Sequence, residues 1–316
     1  MPAYWTGKAS WRIKAGEDAD LNRAIEAYVS VGRPGAALEA SMDRLGEISG
    51  QQILTLIDGY LDQINKSEAE TLDGMATYRL QLIFEHPDKS DDVPLDAIAK
   101  REFAMLPLLQ HSKRPLALYG LMASSGVFYA SVLDLVFPPD AADDLSEDEK
   151  ERRRDLATLA YRLLSEFKAA PGTDGKGADI TRSSLETWIA EVRSANSMPD
   201  RQSLFDVYIG HALAHSPQDD DGAWPHRVVR DTLEALAAPD IERGISTERI
   251  NMRGVYTKLL FEGGRQERDL AATYRAWRDL AAAWPRTSEL LETIAKRWDL
   301  SAEDADIRAK QDMMRD

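Results

Sequence analysis

The sequence predicts an all-α protein, an α-solenoid-like array of antiparallel helix pairs, and three observations carry that expectation. Apolar residues recur at three- and four-residue spacing through most of the chain, helix-capping patterns open several of these segments, and strand signals are close to absent. β-Branched residues rarely cluster, and no Asn-Gly or Asp-Gly joins two alternating apolar runs. Short turns between successive helices imply antiparallel neighbours. No strict period of the tetratricopeptide or ankyrin kind is present.

Taken in order, Leu21, Ala24, Ile25, Tyr28 and Val29 form one apolar stripe, closed by Gly32, Pro34 and Gly35. Leu38, Met42, Leu45 and Ile48 predict a second helix. Ser49 and Gln52 stand at capping-box spacing before a third, which carries Ile53, Leu56, Ile57, Tyr60, Leu61 and Ile64. A fourth runs through Met75, Leu80, Leu82, Ile83 and Phe84, and the polar residues 86–92 form a loop. The fifth spans Leu95 to Gln110, with Pro107 disturbing its hydrogen bonding.

The stretch from Leu116 to Phe137 is the most apolar in the chain. Its twenty-two residues have the length of a membrane span, yet they contain Gly120, Ser124, Ser125, Gly126, Ser131 and Asp134. It reads as the centre of a core, as one helix or as two broken near Ser124 to Gly126. Beyond the acidic run from Asp140, Ser146 and Glu149 form a capping box before Leu156, Leu159, Ala160, Leu163, Leu164 and Phe167.

Residues 171–177, with three glycines, read as the boundary between two helical lobes, 17–170 and 171–316. Gly175-Lys176 lacks the following Ser or Thr and the flanking strand of a phosphate loop. Two short helices follow, around Leu185 to Val192 and Leu204 to His215, then a turn at 219–225 and a helix from Val228 to Ala237. From Ile241 to Arg268 apolar spacing weakens, and irregular backbone or short helices are expected. Leu270, Tyr274, Trp277, Ala281 and Trp284 form a further stripe, and Leu290, Leu291, Ile294 and Trp298 the last. Asp304 to Asp316 either extends this helix or frays.

Composition narrows the function classes. The formal charge of −15 disfavours sequence-independent binding to nucleic-acid backbones and anionic membranes, so neither partner is expected. With no cysteine, thiol catalysis, thiolate metal sites and disulfides are excluded, and a cytoplasmic location is expected. Residues 1–16 have no apolar signal-peptide core, and Trp5 and Trp11 read as a junction to an upstream domain.

Chemistry-bearing patterns are few. No nucleophile elbow or dinucleotide fingerprint appears, so no catalytic residue and no cofactor is expected. His211 and His215 share one helix face, with His226 or the aspartates 219–221 as further ligands in an alternative reading, a hydrolase or transferase. That face lacks the glutamate of a His-Glu-x-x-His site, so the pair reads as structural and no metal is expected. The expected binding set is Asn251, Arg253, Glu262, Arg265 and Arg268, joined by Trp224 and His226. Arginines and glycines between helices can bring guanidinium forks and bare amides to a carboxylate or phosphate. Equally, these arginines can form an internal network with Glu242, Glu248, Glu262 and Glu267.

The segments Tyr4-Trp5-Thr6-Gly7-Lys8, Gly32-Arg33-Pro34, Asp221-Gly222-Ala223-Trp224-Pro225 and Glu262 to Arg268 resemble the C-terminal helical region of a group of very large bacterial proteins. The resemblance implies a recognition or scaffolding module whose partner is a protein or upstream domains of the same polypeptide. By analogy of fold it is similar to superhelical sensor regions of bacterial defence proteins.

Overall fold

A computed structural model describes residues 18–66, 83–84, 93–109, 115–138, 146–173, 179–196, 198–259 and 261–314. The expectations for Trp5, Trp11, Met75 to Leu82, 86–92, 140–145 and 174–177 lie outside these residues. Among the described residues the chain is all-α, with thirteen helices and no strand.

Two compact units divide at Leu121 and Met122. The first holds α1 (Asp18–Ser30), α2 (Pro34–Ser41), α3 (Gly50–Lys66), α4 (Leu95–Leu109) and most of α5 (Leu116–Ser124). The second holds α6 (Gly126–Val136), α7 (Glu147–Glu166), α8 (Arg182–Ala195), α9 (Gln202–Leu213), α10 (Arg227–Leu236), α11 (Pro239–Asn251), α12 (Arg265–Leu280) and α13 (Pro285–Met313). The turn at Pro171, expected between lobes, therefore lies within the second unit.

In the first unit α1 buries Leu21, Ala24, Ile25 and Tyr28 and packs on α2 and α3. The expected helix through Ile48 stops instead at Ser41, and Met42–Glu47 tightens into a 3-10 turn. Ser41 Oγ donates to the carbonyls of Ala37 and Leu38, at 2.8 and 3.0 Å, and Arg44 leaves the helical region at φ −135°. A serine bonding back to its own turn weakens helix continuation. Ser49 donates to Gln52 Oε1 through both N–H and hydroxyl, and α3 follows with Ile53, Leu56, Ile57 and Tyr60 buried. Glu102, fully buried, accepts the Leu118 N–H at 2.9 Å, satisfying an amide in the first turn of α5.

The long apolar stretch is two helices, α5 and α6, separated at Ser125, whose side chain accepts the Phe128 N–H. No single helix among the described residues is long and apolar enough to cross a membrane; α5 and α6 together meet that test but are bent at the break. Asp134, the lone acid of the stretch, accepts from Arg201 at 2.8 Å. The capping box of Ser146 and Glu149 forms at the start of α7, although Leu156 and Tyr161 of that helix are exposed.

The segment 241–268, expected to be irregular, begins with a regular helix. Pro239 opens α11, as its fixed φ and missing N–H suit a first helical turn. The helix packs on α9 through glycine. A Cβ on Gly210 would stand 2.1 Å from the Ile241 carbonyl, and one on Gly244 2.1 Å from that of Val207, so the two backbones touch. Contact through glycine leaves no apolar spacing for a periodicity argument to find. α13 extends to Met313, so the C-terminal segment continues the helix to that residue. Gly210→Ala or Gly244→Ala should cost about 1–3 kcal/mol by overpacking, a loss of roughly 3–10 °C in melting temperature. Gly46→Ala, with open space around its Cα, should leave the midpoint nearly unchanged in the same thermal melts.

Candidate functional site

Within the second unit, α6, α7, α9 and α11 enclose a cleft of about 410 Å³. Its lining combines aromatic residues, Tyr129, Tyr161, Phe167 and Tyr208, with His211, His215, Glu248, Asn251, Lys168 and Met252. The close α9–α11 crossing determines which polar groups meet. His211 lies in the last turn of α9, His215 just beyond its end, and Glu248 and Asn251 share the last turn of α11.

Glu248 is the hub. Its Oε1 lies 3.3 Å from His215 Nε2, its Oε2 lies 4.0 Å from His211 Nδ1, and the Asn251 side chain donates to it. The hydrogen bond from His215 is the largest influence on the Glu248 carboxyl and holds its pKa below the ordinary 4.5, against burial. For His211 burial is the largest influence and lowers its pKa below 6.5, opposed by Glu248 and assisted by His215. A neutral imidazole keeps its proton on the nitrogen facing the carboxylate, leaving Nε2 as an acceptor. His211 Nε2 is buried and has no hydrogen-bond partner.

The rings are fixed from behind. Tyr129 donates to the Tyr208 carbonyl at 2.9 Å and lies 5.7 Å from Phe167 and 4.9 Å from Trp188, ring centre to ring centre. Tyr208 packs between Phe137 and His211, at 5.2 and 5.0 Å. Burial raises the pKa of both tyrosines, so they remain phenols. Ser165, also in the lining, donates its hydroxyl to the Arg162 carbonyl at 2.9 Å.

Of the expected binding residues, Asn251 lines this cleft and the others do not. Trp224 is buried, donates to the Ser216 carbonyl at 2.9 Å, and has the Arg249 guanidinium 4.3 Å from its ring centre. His226 accepts the Val228 N–H at the start of α10 and does not join His211 and His215. Among the described residues no group of three or more His, Cys, Asp or Glu is placed to hold a metal ion. Glu262 accepts from Leu259 N–H and Gln266, and Arg268 pairs with Asp306 at 2.8 Å. Arg265 is exposed, with no ion pair among the described residues.

The expected network among arginines 249–268 and the four glutamates forms only in part. Arg253 and Lys258 converge on Glu267, which is 1% exposed, and Arg253 also lies over Tyr256. Glu242 instead pairs with Arg286, and Glu248 meets histidines. Arg249 bonds the Tyr274 hydroxyl at 2.8 Å and the Ala214 carbonyl at 3.3 Å, joining the end of α9 to α11 and α12. The residues missed as site members include Tyr129, Tyr161, Phe167, Tyr208 and Lys168, together with the role of Glu248 as partner to the histidines. The spacing of His211 with His215 marked one wall only.

Comparison with protein-family models, curated proteins and solved structures returned no match to this chain.

Arg253→Ala should cost about 3 kcal/mol, the low end for breaking a buried pair because Lys258 remains on Glu267, and Arg265→Ala should change stability by under about 0.5 kcal/mol. Chemical denaturation of the two variants measures the difference.

The titrations act in one direction. His211 and Glu248 both have pKa values lowered by folding, so both bind protons more readily in the unfolded chain. Their stabilisation is present above the unfolded values of 6.5 and 4.5 and is lost as pH falls through the folded ones. The melting temperature should fall as the pH drops below 6.5, and His211→Asn should flatten that limb. Melts of wild type and variant across this range provide the measurement.

Proposed function

We propose that this chain is a non-catalytic helical recognition module, with the cleft and its adjoining loop as the surface that meets a protein partner. The observation that carries this reading is the loop after α11. Met252, Val255, Tyr256 and Leu259 are all exposed, Val255 fully and Leu259 at 80%, and Met252 also lines the cleft. Isolated exposed apolar residues are ordinary, but several on one short loop at the mouth of a cleft make a patch of the kind that marks interaction sites.

The polar groups of the cleft favour binding over turnover. A nucleophile needs a base within hydrogen-bond reach, whereas the Ser165 hydroxyl is committed to its own helix and Glu248 is engaged by His215 and Asn251. Tyrosines that remain protonated suit contact and hydrogen bonding.

Quantitative affinity capture tests the reading. A saturable protein partner retained by the wild type should be lost by the double variant Val255→Ser, Leu259→Ser, with no change in melting temperature. Both side chains are exposed, so surface substitution should shift stability by no more than about 0.5 kcal/mol. Capture that is indifferent to the double variant would sink the proposal, and so would stoichiometric zinc lost in His211→Ala.

A further inference from the structure

We propose that the cleft takes a cationic side chain, a lysine ammonium or an arginine guanidinium, presented by the protein partner. This rests on the recognition reading above and names the group that is recognised.

Three features of the cleft favour a cation. Glu248 is its one acidic lining residue, and no lysine or arginine pairs with it among the described residues. Four aromatic side chains line the same space, and ring faces carry the negative end of the quadrupole that attracts ammonium and guanidinium groups. Burial keeps the His211 pKa below 6.5, so at neutral pH its ring adds no positive charge to compete with a ligand for Glu248. An anion would meet a held carboxylate. A purely apolar group would remove Glu248 further from water and replace none of its interactions. The net charge of −15 adds a long-range attraction of the same sign.

Lys168 is the one lysine or arginine in the lining. It is exposed and forms no ion pair with Glu248, so it is a competitor at the mouth rather than the resident partner. The apolar loop decides between a free amine and a side chain on a protein. Met252 and Gly254 line the cleft, and the exposed Val255, Tyr256 and Leu259 follow them in the same loop. A small amine covers none of that strip; a partner segment with apolar residues flanking its lysine or arginine covers both.

The test uses the full chain with four probes of similar length: butylammonium, butylguanidinium, 1-pentanol and valerate. Binding is followed by the imidazole resonances of His211. The cations should bind saturably, and Glu248→Gln should weaken them at least about tenfold, equivalent to one charge interaction of about 1.4 kcal/mol. Lys168→Met should strengthen them, whereas an anion site would weaken. Tyr161→Leu, at an exposed position, supplies a second variant that does not endanger folding and should also weaken the cations.

The peptide acetyl-Leu-Lys-Leu-amide should bind at least about tenfold more tightly than butylammonium and lose that advantage in Val255→Ser, Leu259→Ser. Valerate or pentanol binding as well as the cations would overturn the proposal. So would cation binding indifferent to both Glu248→Gln and Tyr161→Leu, or no cation binding at all. A peptide no tighter than butylammonium would replace the partner's side chain with a free amine. If the cation assignment fails while the loop variant still abolishes partner capture, the recognition reading stands without it.

Discussion

The backbone contact between α9 and α11 at Gly210 and Gly244 is the constraint on which the cleft depends. A Cβ at either position would fall 2.1 Å from a carbonyl oxygen of the facing helix, so a larger residue would force the helices apart. His211 on α9 and His215 just past its end meet Glu248 of α11 because nothing stands between the two backbones. Arg249 reinforces the same junction from its far side, bonding the carbonyl of Ala214 at the end of α9 and the hydroxyl of Tyr274 on α12. A cation at a helix C-terminus is favourably placed with respect to its dipole. Neighbouring residues of one helical turn therefore face opposite tasks: Glu248 turns to the cleft, Arg249 to the core.

Charge in the second unit is arranged in small local groups of arginine or lysine with acid. Arg253 and Lys258 answer Glu267, Arg268 answers Asp306, and Arg275 and Arg278 share Glu292. Arg230, fully buried, lies over Trp284 and bonds Asp219 and Asp221. Each buried acid so paired removes a candidate from the list of reactive carboxylates. Glu248 differs, because its neighbours are imidazoles and an amide.

The fold class was legible because the helices that bury large side chains announce themselves by spacing. Trp188 with Leu185, Ile189 and Val192, or Leu290 with Leu291, Ile294 and Trp298, are buried on one face as their positions suggest. α11 was not legible because Gly244 and Ser246 occupy its buried face beside Ile241 and Ile245. Nor was the end of α2, where the deciding group is the hydroxyl of Ser41. The candidate site was legible as two histidines one turn apart and as Asn251. Its other wall comes from helices distant in sequence, and Tyr129, Tyr161 and Tyr208 each look like ordinary core or surface tyrosines until the helices are brought together.

The loop after α11 exposes apolar side chains, yet it is staked at both sides. Lys258, in the middle of the strip, bonds the Gly263 carbonyl and the Glu267 carboxylate, while Arg253 bonds the same carboxylate and stacks on Tyr256. Val255 and Leu259 thus project from backbone whose freedom was surrendered when the protein folded. A ligand covering them has little further ordering to impose, and preorganised surfaces express changes in affinity mainly through how long the complex lasts. Loosening a stake such as Lys258 would then shorten the life of a complex without removing any group that touches the ligand.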